Sequence, residues 1–319
     1  MSSSQKKVVL VQELSDTQKE QLQARFPEAH VVDCTGDRES IKSEIRDAHM
    51  VLGYLRPEEF EQAASLELVQ VLSQGVEGMM FPAFRQSSVA LCNGKGLWSP
   101  AMAELTIALI LAFYRRLPDL FRWQQEHVWC PERFGYRSLG GQTVGFIGTG
   151  DIATYTVPLC HAFGARIIGY NQRGDQPEGF EAIYTGAALP TFLEACDVVV
   201  STLPNTPETR HFMDADAFAS MKSDAIFINV GRGSTVDEEA LVRVMQEGRI
   251  AGAGLDVTEQ EPLPPESPLW DLPNVIITGH TAGLGRENTD EAFELFCDNI
   301  QRCIEGRPYR NLVDKSLGY

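Results

Sequence analysis

The chain contains no CxxC pair, no apolar run as long as a membrane helix, and no excess of basic residues. Each absence excludes something. The seven cysteines (Cys34, Cys92, Cys130, Cys160, Cys196, Cys297 and Cys303) are odd in number and scattered singly. That pattern is neither a disulfide framework nor a metal-binding spacing, so reduced, structural thiols and no metal are expected. The longest apolar stretch, around Leu105–Tyr114, falls well short of the ~20 residues that span a bilayer. Lysine and arginine number 27 against 44 aspartates and glutamates, a net charge of −17. A basic face for nucleic acid is thereby excluded. An anionic substrate would have to be drawn in by local positive charge, since the global field opposes it.

The first seven residues run straight into Val8–Val11, which is too short for a signal-peptide core and reads as a strand. Leu317-Gly318-Tyr319 is not a peroxisomal address. A cytoplasmic protein with no membrane partner is the expectation.

What is present is an α/β alternation along 319 residues, 43% hydrophobic and 22% charged, a length that accommodates two domains. Val8–Val11, Val31–Asp33, Val51–Gly53 and Val69–Ser73 read as strands, and Asp16–Phe26 as a helix. A turn cluster, Asn93-Gly94-Lys95-Gly96, then precedes Ser99-Pro100, a helix start. The helix that follows, Ala101–Tyr114, is apolar nearly all round, which predicts burial between domains or subunits. Beyond it, six strands are predicted from Thr143–Gly148, Arg166–Tyr170, Val198–Thr202, Ala225–Val230, Gly252–Val257 and Val275–Thr278, with helices between. The reading is α/β: two Rossmann-like, doubly wound parallel-sheet domains. Residues 1–100 with 286–319 would form a substrate domain, and 101–285 an inserted dinucleotide-binding domain.

Gly148-Thr149-Gly150-Asp151-Ile152-Ala153 matches GxGxxG/A. Alone, this motif is often only a strand-to-helix turn. Here it follows a predicted strand and opens a helix, the context in which the glycines admit a pyrophosphate at the helix N-terminus. About twenty residues on, the second strand ends in Asn171-Gln172-Arg173. An NAD site usually places a carboxylate there for the ribose 2′-hydroxyl. Asn171 would not repel a 2′-phosphate, and Arg173 could pair with one. NADP(H) is therefore preferred as the cofactor, with NAD(H) as the alternative.

Three further motifs stand after predicted strands, where open parallel sheets place ligands. They are Asn229-Val230-Gly231-Arg232-Gly233, Asp256-Val257-Thr258-Glu259-Gln260-Glu261-Pro262 and Gly279-His280-Thr281-Ala282. Reducing a 2-keto acid needs a cation for the carboxylate and carbonyl, and an acid for the carbonyl oxygen. Arg232 suits the first task through bidentate pairing. His280 suits the second, with Glu261 orienting its ring and favouring the protonated form. Singly, each of these residues is more ordinary: a surface charge, a structural histidine, a solvated carboxylate.

Together these motifs resemble the D-isomer-specific 2-hydroxyacid dehydrogenase family over nearly the whole chain. The resemblance implies that Arg232 binds and polarises the substrate, that His280 is the acid/base, and that Glu261 is its partner. It further implies that Asp256 holds the nicotinamide carboxamide and that Leu203 and Pro204 lie along the cofactor. Leu72-Ser73-Gln74-Gly75-Val76-Glu77 resembles the family's substrate-carboxylate loop, which makes Gly75 and Val76 substrate-binding candidates. The implied function is reduction of a 2-keto acid, a small one such as glyoxylate or hydroxypyruvate or a bulkier one such as phenylpyruvate, to a D-2-hydroxy acid by a homodimer built around the Ala101–Tyr114 region. The chain departs from the family in having Gly279 where proline usually precedes the histidine, Glu77 where aspartate is usual, and Asn171 in place of the NAD-type acid. Glu261 argues against the formate dehydrogenases of the superfamily. The competing reading is a dinucleotide-sensing binding protein like the C-terminal-binding-protein corepressors, which share the fold and residue set. The long disordered tail expected of such a scaffold is absent from this sequence.

Overall fold

A computed structural model describes residues 5–129, 135–285 and 287–318. In chain order the early elements are β1 (Lys7–Leu10), α1 (Asp16–Arg25), β2 (His30–Asp33), α2 (Arg38–Glu44), β3 (Met50–Leu52), α3 (Pro57–Phe60), β4 (Leu68–Gln70), α4 (Pro82–Gln86) and β5 (Ala90–Cys92). Next come α5 (Ser99–Tyr114), α6 (Leu117–Gln125), β6 (Thr143–Ile147), α7 (Asp151–Ala162), β7 (Arg166–Tyr170) and β8 (Ala182–Tyr184). The remainder are α8 (Leu189–Ala195), β9 (Val198–Ser201), α9 (Ala215–Ala219), β10 (Ile226–Asn229), α10 (Glu238–Gln246), β11 (Gly252–Leu255), β12 (Val275–Ile277) and α11 (Glu287–Glu305).

The chain divides into two compact units. One holds the residues before Ser99 and after Leu284, and the other is Ser99–Leu284. Ser99 and Pro100 are the first residues of α5, and the division coincides with that helix start.

The first unit is a parallel five-stranded sheet, β2-β1-β3-β4-β5. Alternation along each strand sends residues to opposite faces. Val8, Leu10, Met50, Leu52 and Leu68 pack with Leu22 of α1 and with Ala292, Phe293, Phe296 and Ile300 of α11. Val9, Val51, Val69 and Leu91 pack with Ile41, Ile45 and Phe84. Both faces are covered, which is why these strands read as continuous apolar runs. Burying each such large side chain stabilises the unit by about 1.5–3 kcal/mol before entropy is counted.

The second unit is a parallel seven-stranded sheet, β12-β11-β10-β9-β6-β7-β8. The expected six strands become seven with β8, Ala-Ile-Tyr, half-buried at the sheet edge. β5, at the edge of the first sheet, is likewise additional to the strands expected there. Strand order turns at β6, where β7 lies on one side and β9 on the other. Ligands bind at such a switch point, beyond the carboxyl ends of the strands. Within the single chain, helix α5 is buried on part of its circumference. Met102, Thr106, Leu109, Ile110 and Tyr114 are buried, whereas Pro100, Glu104 and Ala108 are exposed. No described helix is long and apolar enough to cross a membrane.

Candidate active site

The predicted dinucleotide loop leaves β6 at its carboxyl end and opens α7. Gly148 sits at φ +91°, in the left-handed region, and a Cβ there would lie 2.7 Å from Thr202 Oγ1. Thr202 Oγ1 donates to the Gly148 carbonyl at 3.0 Å, closing the turn. Gly150 is the N-cap of α7, no side chain caps the helix, and a Cβ on Gly150 would meet only open space. An uncapped helix end with room above it fits a pyrophosphate. Ile152 and Ala153 are buried. The Asp151 side chain does something the sequence did not suggest: its carboxylate accepts a short hydrogen bond from Ser99 at the start of α5.

At the end of β7, Asn171 is committed to its own loop. Its Nδ2 donates to Thr149 Oγ1 and to the Asp175 carbonyl, both at 2.8 Å, and its Oδ1 accepts from Gly174 N at 2.7 Å. Gln172 and Arg173 are exposed, and Arg173 forms no ion pair among the described residues. No carboxylate stands at the strand end itself. Leu203 packs against the main core of this unit, and the Pro204 carbonyl accepts from Thr209 Oγ1 at 2.6 Å. Val230 is fully buried.

Arg232 follows β10 in a turn shaped by Asn229. Asn229 Oδ1 accepts from Gly231 N at 3.1 Å, and its Nδ2 donates to the Arg232 carbonyl at 3.1 Å. The guanidinium is half-buried, with Nη1 donating to the Gly231 carbonyl at 2.8 Å. Gly233 allows this turn to touch the next motif, since a Cβ there would sit 1.9 Å from the Thr258 carbonyl oxygen.

The stretch after β11 closes on itself. Glu261 Oε1 accepts from Thr258 N at 3.1 Å, and Thr258 Oγ1 donates to the Gln260 carbonyl at 2.8 Å. The other oxygen of Glu261, Oε2, lies 2.7 Å from His280 Nδ1. An ionised carboxylate can only accept, so Nδ1 carries the proton. Nε2 is then the ring atom left to exchange a proton. His280 and Glu261 are both partly open to solvent.

Asp256 turns out to organise the histidine loop. It is 2% exposed. Its carboxylate accepts from Thr281 N at 2.9 Å, Ala282 N at 3.1 Å and Thr278 Oγ1 at 2.6 Å, and its carbonyl accepts from His280 N. These donors compensate a buried charge and pin the backbone on both sides of His280. Gly279 and His280 are consecutive left-handed residues, at φ +65° and +59°. A proline ring holds φ near −65°, so the family's usual proline could not occupy position 279 in this loop.

In the first unit, the loop after β4 has its carbonyls tied down. Leu72 O accepts from Trp98 Nε1 at 2.7 Å, Ser73 O from Gly94 N at 2.8 Å, and Gln74 O from Asn93 Nδ2 at 2.7 Å. Gly75 O accepts from Tyr54 Oη at 2.6 Å and Ser73 Oγ at 2.8 Å. Among the described residues, the N–H groups of Gly75 and Val76 meet no acceptor. Donors exposed by a loop with its carbonyls turned away are able to meet an anion. Tyr54, Asn93 and Trp98, which tie those carbonyls down, are spread along the chain, and no motif spacing singled them out.

Comparisons with known proteins identify the family. Residues 107–282 match the family model described as D-isomer specific 2-hydroxyacid dehydrogenase, NAD binding domain. The chain is 36% identical over 265 residues to glyoxylate/hydroxypyruvate reductase B of Citrobacter koseri, covering 81% of each protein. Among solved structures, it is similar to a D-isomer specific 2-hydroxyacid dehydrogenase from Xanthobacter autotrophicus in complex with NADPH and MES. That similarity has a TM-score of 0.87 and 31% identity, covering 99% of this chain and 100% of the other. It is also similar to an NADPH-dependent glyoxylate/hydroxypyruvate reductase from Sinorhizobium meliloti in complex with NADP and sulfate, with a TM-score of 0.86 and 27% identity, covering 99% and 100%. The chain therefore belongs to the D-isomer specific 2-hydroxyacid dehydrogenase family and is an NAD(P)-dependent oxidoreductase.

Proposed function

We propose that this enzyme reduces a small 2-keto acid, such as glyoxylate or hydroxypyruvate, to a D-2-hydroxy acid with NADPH. The carrying observation is the 2.7 Å pair between His280 Nδ1 and Glu261 Oε2, beside an Arg232 turn packed on the same loop through Gly233. The names of the matching relatives support the keto-acid class.

When bound, the reduced dinucleotide supplies the hydride. Arg232 binds the keto acid and polarises its carbonyl, pairing with anionic oxygen as a planar fork. The N–H groups of Gly75 and Val76 receive the substrate carboxylate. His280 delivers the Nε2 proton to the carbonyl oxygen as it becomes an alcohol, while Glu261 holds the ring and stabilises its cationic form. Asp256 keeps the histidine loop in place. Reduction consumes one hydride and one proton and yields the hydroxy acid.

For the dinucleotide, Gly148, Thr149, Gly150 and the start of α7 at Asp151 and Ile152 are assigned to the phosphates. Asn171, Gln172 and Arg173 are assigned to the ribose end, and Leu203, Pro204, Val230 and Asp256 to the nicotinamide side. The absence of a strand-end carboxylate and the exposed Arg173 favour NADPH. A keto-acid panel with both cofactors tests the whole reading. The expected result is a kcat/KM about tenfold or more higher with NADPH, since one charge-assisted pair contributes about 1.5–3 kcal/mol, and a smaller preference in Arg173→Ala. A preference for NADH, or no turnover of any keto acid, would refute it.

We also propose a homodimer in the cytoplasm. Phe121 at 60% exposure and Trp129 at 93% leave apolar surface on and after α6 that a second copy would cover. The six described cysteines are buried and unpaired, as suits a reducing compartment. Sedimentation should give twice the 35.3 kDa chain mass; a single-chain species would count against the dimer.

A further inference from the structure

One polar cluster lies outside the assigned machinery and touches both of its turns. Glu259 precedes Glu261 by two residues, and its side chain has other partners than His280. Its N–H donates to Glu238 Oε2, at the first turn of α10, over 2.9 Å. Its Oε1 accepts from Arg210 Nη2 at 2.9 Å and lies 2.7 Å from His211 Nε2. Glu238 is half-buried, and burial pushes its carboxyl above the usual range. Such a group is costly to hold where it is unless its hydrogen bond is useful.

The same segment grips the Arg232 turn. His211 N donates to the Ser234 carbonyl at 2.9 Å and Met213 N to the Thr235 carbonyl at 3.0 Å. His211 sits at φ +50°, a conformation that costs energy and persists only where the surroundings enforce it. Residues 210–213 thus bond to the Arg232 turn through their backbone and to the Glu261 loop through two side chains. These contacts leave the Glu261 loop little freedom to drift from the Arg232 turn.

We propose that Arg210, His211 and Glu238 are positioning residues that act through Glu259 to hold Glu261 against His280. The inference rests on the assignment of His280 as the acid. If it holds, loosening the clamp weakens the support of the imidazolium, and His280 keeps its proton only at lower pH. Reduction, which needs that proton, should then fail at lower pH than in the unaltered enzyme.

The test uses the full chain with glyoxylate and NADPH. Glu259→Ala should lower kcat about tenfold or more, because small misplacements of acting groups are expensive. KM for the keto acid should stay within about twofold. The alkaline fall-off in rate should move to lower pH, and the His280 ring proton signal, assigned by its loss in His280→Ala, should titrate at lower pH too. Glu259→Gln keeps the backbone N–H bond and an acceptor for both side chains, and should restore most of kcat and the profile. Arg210→Ala removes one exposed contact and gives a milder version of the same shift if Glu259→Ala folds poorly. An unchanged kcat and pH profile in both alanine variants would overturn the proposal. So would a loss of kcat that moves neither the profile nor the ring titration, because a merely structural role predicts that outcome. Activity in His280→Ala would instead reject the acid assignment itself, whereas an inactive His280→Ala beside a normal Glu259→Ala would reject only the clamp.

Discussion

His280→Ala should lower kcat for keto-acid reduction by about 10²- to 10⁴-fold, the usual contribution of a positioned general acid, while NADPH binding stays within a few-fold. The two effects separate because the imidazole and the backbone of this loop have different partners. The ring contacts Glu261. The backbone is held by Asp256 through Thr278, His280, Thr281 and Ala282, and none of those bonds involves the ring. His280→Asn makes a second variant, since asparagine tolerates the left-handed backbone at φ +59° better than alanine does. Both should lose turnover alike. Glu261→Gln should cost less than loss of the ring, because an amide oxygen can still accept from Nδ1 but no longer stabilises a cation. Steady-state rates and NADPH titration by fluorescence check all three. Near-normal turnover in either His280 variant would remove the mechanism proposed above.

Gly233→Ala is expected to be the most damaging single-methyl change in the dinucleotide unit. The added Cβ would stand 1.9 Å from the Thr258 carbonyl oxygen, 2.0 Å from its carbon and 2.7 Å from Glu259 N. All three are backbone atoms, so no side-chain rotation relieves the clash. Overpacking typically costs 1–3 kcal/mol when side chains can yield, and a backbone obstruction should reach about 3 kcal/mol or more. Alternatively, the Arg232 turn and the Glu261 loop separate. The fold then survives, but Arg232 and His280 no longer address one substrate, and kcat falls steeply. Chemical denaturation and kcat, measured together, distinguish these routes, and a variant normal in both would show that the contact is not tight. Gly150→Ala is the counterpart. Its Cβ meets open space in the protein, so stability should hold while the dinucleotide KM rises, because the methyl occupies the space expected for pyrophosphate.

Much of this protein was legible before folding. The strands from Val8 to Val275 announce themselves because sheets covered on both faces require continuous apolar runs, as Val198–Val200 and Ile226–Ile228 show. The Gly148 loop, Arg232, Glu261 and His280 stand at strand ends, where parallel topology collects ligand groups, so their order along the chain carries their meaning. Two edge strands were not legible. β5 and β8 each pair with one strand only, β4 and β7 respectively, and depend on that neighbour's hydrogen bonds.

The sequence by itself determined the chemistry available: a cation, an acid, a carboxylate and a glycine turn for phosphate, each set by residue type. Only the tertiary structure decided how those groups are held. It assigned Asp256 to the histidine loop, Asn171 to its own turn and Asp151 to Ser99. It also set Glu259 between Arg210, His211 and Glu238, residues as far as 49 positions away in the chain. The reason is physical. A side chain's identity fixes what it can donate, accept or ionise, whereas its partner is whatever group the fold brings within about 3 Å, and that proximity is set by the packing of distant segments.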